Sequence, residues 1–97
     1  MPIYQVTPIA LNADRLGAAV AQTVSDEHRY ELPNRAGWLV NFKGTTIELS
    51  HHIGVTGQPE GVPATIGSVL ITSIVSYYGR GSADMWEWLK TRFENAS

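Results

Sequence analysis

The stretch SVLITSIVSYYGRGSADMWEWLKTRF, residues 68–93, decides the fold of this chain. Residues 68–78 form an apolar run without a charged side chain, which is typical of a buried strand. The run ends at Gly79-Arg80-Gly81, where two glycines interrupt regular structure. Residues 82–93 then predict a short helix that carries two tryptophans. This strand-to-helix unit says more about the fold of the chain than about its function.

The predicted last helix has a wide apolar surface. Met85, Leu89 and Phe93 fall on one stripe at ~100° per residue. Trp86 and Trp88 flank that stripe on opposite sides, so the apolar arc is about 160° wide. Two interpretations stay open: both tryptophans pack in the core of one subunit, or one of them meets a partner. Both are therefore candidate interface residues.

The N-terminal part of the chain predicts a strand followed by a helix. The strand is expected over Ile3–Leu11, with Pro8 marking an edge position or a bulge. Asn12 is a suitable N-cap residue, and Asp14 would face the positive end of the helix. The helix is expected to run to about Ser25.

A hairpin and a second helix are predicted next. Strands over residues 28–32 and 37–42 flank a Pro-Asn turn, and the short gap implies antiparallel pairing. Thr45 and Glu48 fit a capping box, which predicts a helix spanning roughly Thr46–Ile53. Gly54–Gly67 holds four glycines and two prolines and is expected to be a long, mobile loop.

The predicted order is strand, helix, strand, strand, helix, strand, helix. We therefore expect an α+β fold: a ferredoxin-like β-α-β-β-α-β antiparallel sheet with an added C-terminal helix. Two helices would cover one face of the sheet. The other face would be closed by a second copy of the protein or by the added helix.

Composition narrows the class of protein. Ninety-seven residues with 43% hydrophobic and 16% charged content predict one globular domain, residues 1–97. The net charge of −2 disfavours general nucleic-acid binding. The absence of cysteine excludes disulfides and thiolate chemistry and fits a cytoplasmic protein. No signal peptide or membrane-spanning run is visible, so no membrane partner is expected.

The hairpin with Trp38-Leu39-Val40 and the closing Trp86-Glu87-Trp88-Leu89 resemble small SinR-like proteins, relatives of the CRISPR-associated Cas2 fold. This resemblance implies a dimer of ferredoxin-like subunits. It also implies an acidic residue near the end of the first strand in members that act as nucleases. Here that place falls around Ala10, where no carboxylate stands; the nearest is Asp14. We therefore expect no catalytic residue, because Mg²⁺ prefers carboxylate ligands.

Two further groups of residues are candidate sites. Glu48, His51 and His52 form an incomplete metal-binding pattern, and a solvated helix end explains them as well. Tyr78 and Arg80 could stack on RNA bases or line a core edge or an interface, and the net charge favours the structural interpretation. No phosphate-binding glycine motif or hydrolase triad motif occurs, so no cofactor is expected.

The sequence thus favours a non-enzymatic homodimer that binds another macromolecule. The alternative is a Cas2-like nucleic-acid-binding protein or degenerate nuclease. That alternative requires Arg29, Arg35, Lys43 and Arg80 to cluster on one face. A third hypothesis, a metal-dependent enzyme, depends on Glu48 and the two neighbouring histidines.

Overall fold

A four-stranded antiparallel sheet forms the centre of the computed structural model, which describes residues 1–94. The last three residues of the predicted domain, 95–97, lie outside the described part. The strands follow the order β2-β3-β1-β4 across the sheet. Their bounds are β1 Ile3–Pro8, β2 Arg29–Glu31, β3 Trp38–Asn41 and β4 Val69–Ile74.

Three α-helices accompany the sheet within residues 1–94: α1 Ala13–Thr23, α2 Thr46–Ile53 and α3 Ala83–Glu94. A short 3₁₀ turn, Asp26–His28, precedes β2, and a turn over Pro33–Arg35 follows it. The chain is therefore a small α+β domain in its described part, as predicted. The capping box at Thr45 is confirmed, since its hydroxyl accepts from the Glu48 N–H at 3.1 Å.

The first face of the sheet holds the main core. Tyr4 and Val6 of β1 and Trp38 and Val40 of β3 point to this face because strand side chains alternate. They pack with the buried apolar residues of the first two helices, Leu16, Val20, Leu49 and Ile53. Phe42, just past the end of β3, is partly buried in the same cluster, so Trp38, Val40 and Phe42 alternate onto one face.

The second face of the sheet is covered by α3. Ile3 and Leu39 point to this face and are buried with Trp88 and Leu89 of the helix. The side chains around them are partly buried and mostly aromatic or aliphatic: Tyr30, Leu32, Ile74, Tyr77, Met85, Trp86 and Phe93. Of the two ways predicted to close this face, the added helix is the one that the structure shows for this part of the sheet.

Two predicted strands end earlier in the structure. β1 stops at Pro8 rather than Leu11, because the chain turns at Leu11, whose φ is 53°. β4 stops at Ile74 rather than Tyr78. Ile74 lies opposite Ile3, the first residue of β1, so the next residues have no neighbouring strand to pair with.

The start of α1 also differs from the expectation. Asn12 occupies the N-cap position, but its side chain makes no capping hydrogen bond. Asn12 is only 2% exposed, and its amide group donates instead to the carbonyl oxygens of Ile66 at 2.8 Å and Ser68 at 3.0 Å. This side chain therefore ties the end of the loop from Gly54 to Gly67 to the start of the helix.

Candidate functional site

The aromatic residues of α3 pack inside the subunit. Trp88 is 8% exposed and lies 6.2 Å from Tyr30 between ring centroids. Trp86 is half-buried and stacks on Tyr77 with centroids 5.7 Å apart. The Arg92 guanidinium lies 4.9 Å from the centre of the Trp88 ring, which adds a cation–π contact. Most of the apolar surface of α3 therefore packs against the sheet of the same chain.

Tyr78 and Arg80 stand apart from this packing. Tyr77 turns inward to its aromatic neighbours, whereas the Tyr78 side chain is fully exposed. Arg80, two residues further on, is also exposed. The connection between β4 and α3 thus presents an exposed phenol ring and an exposed guanidinium to solvent.

The residues of the predicted metal pattern are held in local contacts. Glu48 accepts a hydrogen bond from the Thr45 N–H at 3.1 Å as part of the capping box. The His52 Nε2 atom lies 2.7 Å from the Thr23 carbonyl oxygen at the end of α1. His51 lies close against Gly57. No group of three or more His, Asp or Glu side chains within residues 1–94 could hold a metal ion.

Two of the four basic residues named above are paired with carboxylates. Arg35 forms an ion pair with Asp14 of α1. Arg29 lies 3.7 Å from Asp26 and also donates to the Val24 carbonyl at the end of that helix. These contacts partly neutralise the charge that a nucleic-acid surface would need.

A cavity of about 350 Å³ lies at the end of β1. Three residues around it, Leu11, Asn34 and Arg35, have left-handed backbone conformations at φ 53°, 59° and 56°. Such conformations are uncommon for residues other than glycine. The one carboxylate in its lining is Asp14, which is paired with Arg35, so the cavity presents no free acid for metal chemistry.

A second feature, which the sequence analysis missed, is the outer edge of β4. This strand pairs with β1 on one side, and no other strand within residues 1–94 pairs with it. A groove of about 290 Å³ runs beside the edge, between β4 and α2. Its lining is uncharged and consists of Thr46, Ile47, Ser50, Val55, Thr56, Val69 and Ile71.

The orientation of the β4 backbone follows from the pairing register. The Ile9 N–H donates to the Ser68 carbonyl at 3.2 Å, so in this register odd residues of β1 bond to even residues of β4. The N–H and C=O groups of Val69, Ile71 and Ser73 therefore point away from the sheet. No backbone hydrogen bond found outside the helices and the sheet pairing, within residues 1–94, uses them.

The uncharged sequence of this segment does not indicate an exposed edge. Residues 61–79 contain no charged side chain, although exposed edge strands commonly carry charges or proline that prevent association. The apolar run therefore predicts a fully buried strand, and the free edge is visible only in the sheet topology.

Comparisons of this chain with family models, curated proteins and solved structures found no match. Within residues 1–94, no helix combines the length and apolar character needed to cross a membrane.

Proposed function

We propose that this chain is a cytoplasmic, non-enzymatic, ferredoxin-like domain that acts as a homodimer and binds another macromolecule. The strand order β2-β3-β1-β4 supports the ferredoxin-like part of the proposal. The packing of α1 and α2 on the same face of the sheet supports it further. The added α3, on the opposite face, would distinguish this domain from the minimal form of that fold.

The observation that carries the binding role is the concentration of exposed apolar side chains in the uncharged segment that contains β4. Four of the eight exposed large hydrophobic side chains found within residues 1–94 fall between Gly61 and Gly79. They are Val62, Leu70, Val75 and Tyr78. Exposed apolar groups concentrated in one uncharged segment favour a surface that a protein partner covers.

Local contacts of the candidate catalytic groups support a binding role over a catalytic one. Asp14 is paired with Arg35, Glu48 caps its own helix and His52 contacts the end of α1. A general base or metal ligand has to be free to reach a substrate or ion. Each of these side chains would have to give up a structural contact first.

Sedimentation equilibrium over a series of micromolar concentrations tests the homodimer. We expect a mass of twice 10.6 kDa in the upper part of the series. A mass of one chain at every concentration would contradict the proposal. A pull-down with the purified dimer, with the heat-unfolded chain as control, then tests for a macromolecular partner.

The exposed pair Tyr78 and Arg80 favours a second candidate, a Cas2-like nucleic-acid-binding protein. An exposed aromatic ring can stack on an unpaired base, and an exposed guanidinium two residues away adds positive charge for the phosphate backbone. Fluorescence polarisation with single-stranded RNA and DNA at rising salt tests this function. Binding that weakens with salt and is lost in Tyr78→Ala would support it, and binding unchanged by that substitution would not.

A further inference from the structure

The outer edge of β4 offers a regular array of free backbone groups. Val69, Ile71 and Ser73 each direct one N–H and one C=O outward, as the register with β1 requires. Their side chains lie on the face of the sheet that carries α2, because they oppose Pro8, Val6 and Tyr4. The chemistry that fits such an edge is another extended backbone.

The groove beside the edge defines the side chains that this extended backbone should carry. Ile47 of α2 is 67% exposed and forms one wall, while Val69 and Ile71 of β4 form the other. All seven lining residues are uncharged, so the groove offers an added strand hydrophobic contacts and hydroxyl groups but no ionic selection. The complementary partner is a neutral strand with an aliphatic side chain at every second position on this face.

β4 itself meets most of this description: of its three side chains on this face, Val69 and Ile71 are aliphatic, and Ser73 carries an uncharged hydroxyl group. Its sequence, Val69-Leu-Ile-Thr-Ser-Ile74, contains no charged residue, proline or glycine. A second copy therefore brings no like charge against the first, and it supplies a strand of matching length. Natural edge strands that stay single usually contain charges, proline or bulges, and β4 has none of these.

We propose that two copies of this chain join through their β4 edges, antiparallel about a two-fold axis, to make one continuous eight-stranded sheet. With Ile71 at the axis, Ile71 opposes Ile71 of the second copy and Val69 opposes Ser73. The three residues whose N–H and C=O groups point outward are then opposite one another across the axis. This is the arrangement that hydrogen-bonded positions of an antiparallel pair require. The partner's Ile71 side chain enters the groove beside Ile47.

This inference rests on the proposed homodimer and specifies its interface. Ser73→Pro tests it directly, because the Ser73 N–H points outward and its loss leaves the hydrogen bonds to β1 intact. The matched control is Ser73→Ala, which keeps the N–H. A second test is Ile47→Glu, which places a charge in the groove of each copy without changing the strand. Its control is Ala21→Glu on the exposed side of α1.

Sedimentation velocity provides the measurement, and circular dichroism checks that each variant is folded. We expect the wild-type chain and both controls to be dimers. Ser73→Pro and Ile47→Glu should raise the dissociation constant by about tenfold or more, because each change acts twice in a two-fold interface. If Ser73→Pro does not fold, Ile47→Glu still tests the groove.

A cross-linking experiment tests the register. The chain has no cysteine, so Ile71→Cys introduces a single thiol per copy. Opposed residues at a hydrogen-bonded antiparallel position lie about 5.5 Å apart between Cα atoms, within the range that a disulfide spans. Oxidation should yield a covalent dimer with Ile71→Cys, and a cysteine placed at Ala21 should yield none.

The outcomes separate the two proposals. A wild-type dimer that Ser73→Pro and Ile47→Glu leave unchanged, with no cross-link at residue 71, overturns the β4 interface and leaves the homodimer standing. A wild-type chain that is monomeric throughout overturns both proposals.

Discussion

Replacing Asn12 with alanine should destabilise the domain more than its size suggests. The Asn12 amide donates to the Ile66 and Ser68 carbonyls at 2.8 and 3.0 Å, and its oxygen accepts from the Ala10 N–H at 3.2 Å. Each hydrogen bond contributes about 1 kcal/mol. In the variant, the Ser68 carbonyl still accepts a hydrogen bond from the Ile9 N–H, and the exposed Ala10 N–H can donate to water.

The expected loss for Asn12→Ala is therefore about 2–3 kcal/mol, most of it from the Ile66 carbonyl left without its donor. A domain of this size has a total stability of roughly 5–15 kcal/mol. The loss should lower the melting temperature by roughly 10–20 °C. Urea unfolding followed by tryptophan fluorescence measures the free energy, and calorimetry measures the melting temperature.

Asn41→Ala is the matched control. Asn41 is also buried, and its amide donates to the carbonyl oxygens of Met1 at 2.9 Å and Pro2 at 3.2 Å. Those two residues are exposed, so water can replace the lost donor. We expect a loss of about 1 kcal/mol. Equal losses for the two variants would refute the argument that burial of the partner carbonyls sets the cost.

Asn12→Asp adds a pH test at the same site. The introduced carboxyl would face the Ile66 and Ser68 carbonyl oxygens in a buried place, which raises its pKa in the folded state. In the unfolded chain the pKa stays near ~3.9. The folded state then holds the proton more tightly, so the stability of this variant should fall as pH rises above ~4. The free energy of unfolding of Asn12→Asp is compared with that of Asn12→Ala at each pH. A difference that stays constant or increases with pH would contradict this reasoning.

Three further predictions concern the first sheet face and its helices. Gly17→Ala should destabilise despite the better helix propensity of alanine, because the new Cβ would lie 2.9 Å from the buried Trp38 ring; a gain in denaturation midpoint would refute this. Thr45→Ala should cost about 1 kcal/mol in urea unfolding by removing the cap on the Glu48 N–H, and Thr46→Ala should cost less. Burial, and secondarily the Glu48 carboxylate, raises the pKa of Tyr4. The folded state therefore holds the phenol proton longer, and stability should be lost as pH rises above ~10. Tyr4→Phe should remove this alkaline loss, and an unchanged pH profile in that variant would argue against it.

The parts of the fold that the sequence predicts well depend on local signals. The helix from Thr46 to Ile53 is confirmed because its capping box and its Gly54 end lie within ten residues. The antiparallel pairing of β2 with β3 is confirmed because only a short turn separates the two strands in the sequence.

The parts that sequence reasoning missed depend on contacts between distant residues. Asn12 looked like an ordinary N-cap because nothing near it in sequence shows that Ile66, 54 residues away, competes for its side chain. The end of β4 is set by where β1 begins on the other side of the pairing. An apolar run predicts burial in general, and it does not tell whether one edge of the strand stays free.

The positions of the two tryptophans could be predicted only in part from the sequence. Helical periodicity predicts that Trp86 and Trp88 flank the stripe of Leu89, and all three lie in the cluster on the second sheet face. Periodicity does not tell what covers them. Of the two interpretations that the sequence left open, packing within one subunit holds for Trp88, which the sheet of the same chain covers.

The central position of β1 has a consequence for biosynthesis. Both of its neighbours, β3 and β4, are translated later, and the pairing of Ile3 with Ile74 spans most of the chain. During translation, β1 can therefore pair only with β3 until residue 74 has emerged from the ribosome. Ile3 and Leu39 remain uncovered still longer, until Trp88 and Leu89 emerge. Chaperones that shield apolar nascent segments should therefore increase the yield of folded protein in cell-free synthesis.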